Sequence, residues 1–462
     1  MFKLKKIIIA IGYVVFVLSF SHSEISAEQF KSDAFSSMDF EEPLENEEEV
    51  DWMPESMNLD WDTSYVKYSH RQDHLLNPEE RLFSFDDYKT QTSIDLEWNP
   101  EISGSLNFRS RQAIEYMTSD LDSATKWYLL EGYLQWENQA QDLIIDVGKI
   151  KLEWGSGYAW KPAQVLFPKD SGLSINNESQ EGLEMVQMEV VIDHTTSTLL
   201  IAKKDNDTDL EDNSQRQAVF HLSLKFQPWE VSMLHHETTE EIKTTGLSFS
   251  GLLSDAWEIH GEWTRTNSRD RSTIIKASDG VKIGSIYLPA RFEYQPAEVN
   301  ENFDRFLFGT QYTFTNSVNI IIELYRTTHG YNDDEWGLIK TGISEAHRDN
   351  DWKNSGFNSV NGNPYVGFLR QTMGLLELDD LRQNYLFFRW TTGESDDLWE
   401  WEQIFKLNLD DQSHMSMGTL HKSWTDSIKT ELSCNFFIGD AESEQELNPY
   451  NELCTLTISM GF

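Results

Sequence analysis

The sequence predicts an all-β chain: a transmembrane antiparallel β-barrel of about 18 strands (range about 14 to 20) behind a disordered acidic segment. Three observations lead there. The closing residues alternate, with Cys454, Leu456, Ile458, Met460 and Phe462 apolar and Thr455, Thr457, Ser459 and Gly461 between them, so one face meets an apolar phase and the other water. Connections between such stretches alternate between short and long, and tryptophans gather at the stretch ends. A strand in this position leaves an unpaired edge unless the sheet closes on itself.

Composition is compatible with that reading and narrows it. The chain has 462 residues, a formal charge of -41 and 39% hydrophobic residues, with a mean hydropathy of -0.52. A barrel hides only every second strand residue in lipid, so low hydropathy does not exclude a membrane. The aromatic content of 13%, including 16 Trp, suits interfacial girdles. The acidic charge excludes nucleic acid as a partner, because phosphate binding needs a basic surface.

Residues 1–27 read as a secretory signal peptide: Lys3, Lys5 and Lys6 precede an apolar run over 7–20 that is too short to span a bilayer, and cleavage fits after Ala27 or Ser23. Residues 28–60 read as an acidic periplasmic tail. Over 28–62 there are 13 acidic residues and one basic residue, Lys31, too dense a charge for independent folding. The stretch is either a solvated tail or, through Phe30, Phe35, Phe40, Trp52 and Met53, a segment that plugs the lumen or docks on a periplasmic partner.

The barrel is expected over 61–462. Alternation marks strands at 61–69, 88–98, 102–114, 126–136, 143–154, 182–192, 196–203, 217–226 and 230–237. It continues at 244–253, 256–265, 303–314, 318–328, 384–391, 399–409, 414–424, 427–437 and 453–462. Turns near 100, 228, 255, 316 and 426 are short and fall on one side, whereas 155–181, 267–303 and 329–383 are long and fall on the other, with 410–413 a short exception. Trp61, Trp98, Trp136, Trp257, Trp390 and Trp424 fall at the first side, and Trp127, Trp154 and Trp263 at the second.

The most distinctive stretch runs from Gly148 and Lys149 through Lys151, Glu153, Trp154, Gly155, Gly157, Tyr158 and Trp160 to Lys161 and Pro162. Period two places Ile150, Leu152 and Trp154 toward lipid and Lys149, Lys151 and Glu153 toward the lumen, after which the glycines let the chain turn. The following segment, 155–181, is the third long-side connection. On the same parity Arg109, Arg111 and Glu131 join the lysines in a patch of opposed charge, and His260, Glu258, Glu262, Glu323, Arg389, Lys406, Lys429 and Glu431 also face inward.

The ending with Leu456, Ile458, Met460 and Phe462 resembles the closing strand of Gram-negative outer-membrane β-barrels. That resemblance implies an insertion signal read by the barrel-assembly machinery, and a setting among outer-membrane lipid and lipopolysaccharide. The stretch around Trp154 and Gly155 is similar to one in porin-like families, in which the third loop narrows the pore; Lys161-Pro162 stands where those families have Asn-Pro. The resemblance makes 155–181 the expected constriction of a channel for small hydrophilic solutes.

Other motifs carry less. Asp205, Asp207 and Asp209 copy the start of a calcium loop, but Leu210 and Arg216 occupy its glycine and glutamate positions, and His235 and His236 point to opposite faces of a strand. No metal site or cofactor is expected. Cys434 and Cys454, the only cysteines, share the lipid-facing parity on the last hairpin and form either a disulfide or two small apolar contacts. No hydrolase motif is present, so the chain reads as no enzyme. Two other functions stay open: an accessory barrel of an envelope export or assembly system, and a surface hydrolase with a site assembled from distant strands.

Overall fold

The computed structural model describes residues 56–166, 181–204, 215–283, 286–296, 301–348, 363–376, 380–392 and 398–462. Eighteen long antiparallel strands make the barrel. In chain order they are β1 (Met57–His70), β2 (Tyr88–Trp98), β3 (Leu106–Ser119), β4 (Ser123–Glu137), β5 (Leu143–Ile150) and β6 (Leu183–Ile192). Next come β7 (Thr195–Lys204), β8 (Gln215–Phe226), β9 (Trp229–Thr238), β10 (Lys243–Ser254), β11 (Trp257–Thr266) and β12 (Phe303–Thr313). The last are β13 (Asn319–Thr327), β14 (Asn384–Thr392), β15 (Trp399–Asn408), β16 (His414–Thr425), β17 (Ile428–Ile438) and β18 (Tyr450–Gly461). The ring closes where β18 pairs with β1 from Asp60↔Gly461 to Ser69↔Glu452, so neither terminal strand keeps a bare edge.

The expected architecture is the observed one. Outward positions such as Ile94, Val147, Val186, Phe308 and Leu456 are exposed and form the lipid face. Two-residue turns at 193–194, 227–228, 255–256 and 426–427 lie at one end, and the long connections lie at the other. Trp98, Trp136, Trp257 and Trp424 are exposed at the short-turn end, which is periplasmic in this fold, and Trp127 at the outer end. The expected signal peptide, the expected acidic tail up to 55, the aspartates and Leu210 of the failed calcium motif and residues 167–180 of the expected constriction lie outside the described residues.

Three expectations need correction. The first strand begins at Met57, so the end of the stretch assigned to the tail belongs to the barrel, where Met57 pairs with Trp98. The strand expected over 143–154 stops at Ile150. Its parity is also reversed: Val147 pairs with Leu134 on the exposed outer face, whereas Ile150 is 3% exposed and packs with Leu166, Met185 and Leu200 inside. Lys149 therefore lies on the outer face, bonded to Glu181, and Leu152 and Trp154 join the interior cluster. The expectation equated apolar with lipid, but here the apolar inward side chains meet protein.

The long outer connections form a cap with its own core. Helix α1 (Asp333–Arg348) buries Trp336, Ile339, Ile343 and Ala346, at the spacing of one helical face. It starts with a reciprocal cap in which Glu335 N–H donates to Asn332 Oδ1 (2.9 Å) and Asn332 N–H to Glu335 Oε2 (3.0 Å). Helix α2 (Pro364–Leu375) starts at Asn363, whose side chain accepts from Tyr365 and Val366 N–H. Both pack with Leu76, Leu82, Ile274, Phe292, Leu381 and Leu447 from four separate connections.

Candidate functional site

After Ile150 the chain leaves the wall and folds into the lumen. Leu152, Trp154, Val165 and Leu166 pack on Met185, Leu200 and Val219, and Trp154 stacks on His221 with ring centroids 4.9 Å apart. Trp154 is thus an interior residue and not part of the outer girdle. Gln164 staples the loop's base, accepting from Trp154 N–H and donating to the Leu152 carbonyl, both at 2.5 Å.

Two buried carboxylates on the opposite wall hold the loop's tip. Glu262 Oε1 accepts from Ser156 and Gly157 N–H (2.5 and 2.8 Å), and its Oε2 from Ala163 N–H (2.8 Å). Glu323, fully buried, accepts from Tyr158 and Ala159 N–H (2.5 and 2.8 Å) and lies 2.8 Å from His260 Nε2. A desolvated carboxylate is costly unless charge-assisted hydrogen bonds replace its water, and five backbone donors do so here. The glycines permit this approach: Gly155 has φ +100°, and a Cβ on it would stand 2.7 Å from Glu262 Oε1.

Aromatic packing closes the loop's far side. Trp160 stacks on Tyr325 (4.8 Å, 11°) and meets Phe387 edge-on (6.1 Å). Its Nε1 donates to Asp380 Oδ2 (2.6 Å), and Asp380 Oδ1 pairs with Lys406 (2.7 Å). Arg389 lies 4.7 Å above the Tyr158 ring and pairs with Glu402. Lys161 pairs with Glu153 (3.3 Å).

The rest of the lumen is an elongated cavity of about 950 Å³ lined by β15 to β18 and β1 to β4. It runs from Asp60, Asp426 and Gly461 at the periplasmic rim to Leu381, Glu444 and Asn448 beneath the cap. Its walls carry eight carboxylates against four lysine or arginine side chains. Arg111 pairs with Asp95 (2.7 Å) and Arg109 with Glu97 (3.0 Å) and Glu131 (3.7 Å), while Glu131 also accepts from Lys151 N–H. At the cavity's upper end Glu444 accepts from the Tyr385 hydroxyl (2.8 Å), Leu381 N–H (2.7 Å) and Asn408. Burial pushes the Glu444 carboxyl up to about 7, against the pull of the Lys406 ammonium.

Of the residues expected at the constriction, Glu153, Gly155, Gly157, Tyr158, Trp160 and Lys161 come together in the inward loop, and Arg389 meets Tyr158 across it. Arg109, Arg111 and Glu131 line the other side of the lumen, and Lys149 lies outside it. The anchors Glu262, Glu323 and His260 were readable only as inward-facing; Asp380, Tyr385 and Glu444 gave no sequence signal. Cys434 and Cys454 are register partners joined by a disulfide on the outer face. They supply two of the three side chains in the only metal-like cluster among the described residues, with Glu452.

No known family model matches the chain, and no curated protein sequence does. Solved structures do. Acinetobacter baumannii OccAB1 is 9% identical, with 88% of this chain and 96% of that one covered at a TM-score of 0.51. Pseudomonas aeruginosa OccK5 (OpdH) is 8% identical, with 88% and 97% covered at 0.50. The fold is that of a Gram-negative outer-membrane, porin-type barrel. At this identity the likeness concerns the fold alone, and the porin-type lumen here is divided by a loop with anchors of its own.

Proposed function

We propose that this porin-type barrel is an outer-membrane channel for passive or selective diffusion of small hydrophilic solutes, with the passage in the open half of the lumen and the loop over 151–166 as the constriction that fills the other half. The carrying observation is the continuous cavity of about 950 Å³ from the periplasmic rim to the cap. Its excess of carboxylates concentrates cations. The test is single-channel recording of the full chain in a planar bilayer under a salt gradient. Steady ohmic steps are expected, with a reversal potential on the cation-selective side that moves toward zero in Asp60→Asn/Asp62→Asn.

The cap favours a second reading. An apolar core over the outer mouth suits a closed barrel that is accessory to an envelope export or assembly system, with the acidic tail on a periplasmic partner. A barrel that inserts and stays silent, with and without residues 28–55, would select that reading over diffusion.

A further inference from the structure

Resting on the channel reading, we propose that the open half carries a binding subsite for an uncharged polyol, a small ring solute with hydroxyl edges and an apolar face. The subsite lies on β16 to β18 and β1, between two charged belts.

Thr419, Ser433 and Thr455 are register partners on three successive strands, and the Thr419 hydroxyl donates to Ser433 at 3.3 Å. Toward the periplasm the next inward pair is Thr457 and Ser64. Toward the cap Asn435, 4% exposed and lining the cavity, has its Oδ1 buried without a partner. A buried acceptor of this kind is unfavourable until a donor reaches it, and the terminal amide turns readily to meet one. The register partners of Asn435 are Met417 and Leu453, so a ridge of hydroxyl and amide groups runs beside a thioether and an aliphatic side chain. That pairing fits a solute whose ring face is C–H and whose edge is O–H, because each side of it exchanges water for a matching group.

The charges flank this band. Glu431, 3.3 Å from His421, and Asp62 lie on its periplasmic side, and Lys406 and Glu444 on its cap side. Level with the band on β15 stands Glu402, the register partner of Thr419, whose charge is held by Arg389; an ion there loses hydration for little counter-charge, whereas a neutral polyol replaces its water with hydrogen bonds. A carboxylate-bearing sugar also meets Asp62, Glu431 and Glu402 at close range.

The test uses the full chain, with maltose as the neutral probe and sodium glucuronate as the anionic one. Maltose is expected to reduce single-channel current saturably. Asn435→Leu should raise its half-blocking concentration about fivefold, the loss of one hydrogen bond, and the near-isosteric Thr455→Val should shift it the same way. Glucuronate is expected to block at least about tenfold more weakly. Current that falls only with solution viscosity, alike in wild type and both variants, overturns the subsite and leaves the channel standing. Calorimetry in detergent micelles separates the two proposals: maltose binding to a silent barrel keeps the subsite and removes diffusion.

Discussion

The two halves of the lumen are made from the same kind of strand and carry opposite interiors. Along β5 to β14 the inward positions include Ile150, Met185, Leu200, Leu307 and Ile321, all buried. Along β15 to β18 and β1 to β4 they include Asp60, Ser64, Gln91, Thr455 and Ser459, which line the cavity. The outer faces do not differ in this way, since both halves expose apolar side chains such as Val186 and Leu456. What differs is the occupant, a folded loop on one side and an open cavity on the other. Alternation therefore reports that a strand has two unlike faces, and the identity of each face depends on what the rest of the chain puts there.

The largest effect should come from emptying the packed half. Glu262→Ala strands the N–H groups of Ser156, Gly157 and Ala163, at about 1 to 3 kcal/mol for each buried donor left unpaired. Loss on that scale unseats the part of the loop that Glu262 holds, so that stretch should swing away from the wall while the barrel persists. Single-channel conductance should then rise by about a factor of two, and trypsin should cut between Lys151 and Leu152 in the folded barrel. Glu262→Gln keeps one acceptor and should show a smaller rise. Unchanged conductance in the alanine variant would erase the distinction between the halves.

This division was only partly legible. The barrel, its strand number and the side of each long connection follow from a period-two pattern that is local and imposed by lipid. The inward loop could be named from Gly155, Gly157 and Trp160, but its depth could not, because Glu262 and Glu323 lie about a hundred residues or more away and look like ordinary lumen charges. Lys149 was misplaced for the same reason: Ile150 is apolar because of Leu166 and Met185, contacts that no window of sequence contains. The helices of the cap had a readable signal in Asn332, Glu335 and the spacing of Trp336, Ile339, Ile343 and Ala346. Within a long connection that pattern competes with the strong strand signals on both sides.

A smaller effect sharpens the boundary between the halves, where Glu444 ties the connection over 439–449 to Tyr385 and Asn408. Its carboxyl sits near 7 in the folded protein against an ordinary value of 4.5, so the folded state holds the proton more tightly than the unfolded chain does. The contribution is fully present below about pH 4.5 and is lost as pH rises through about 7, with a total of about 3 kcal/mol. Cap opening, followed as proteolysis of folded barrel at fixed temperature, should therefore be faster at pH 8 than at pH 5. Glu444→Gln should flatten that profile, and a profile unchanged by the substitution would place the pH dependence elsewhere.

The smallest effect tests the outer face that both halves share. Cys434 and Cys454 lie on β17 and β18, strands already held by ladder hydrogen bonds on both flanks, since β17 pairs with β16 and β18 with β1. Their side chains point to lipid, on the parity of Leu432 and Leu456, away from the cavity. Replacing both by serine removes a constraint on the unfolded chain and leaves every lumen group in place. Unfolding should then occur at a lower temperature or denaturant concentration, while conductance and reversal potential in the bilayer stay at wild-type values. A changed reversal potential would mean that the closing hairpin transmits outer-face geometry to Ser433 and Thr455 on the same two strands, and that the open half is less rigid than its ladder implies.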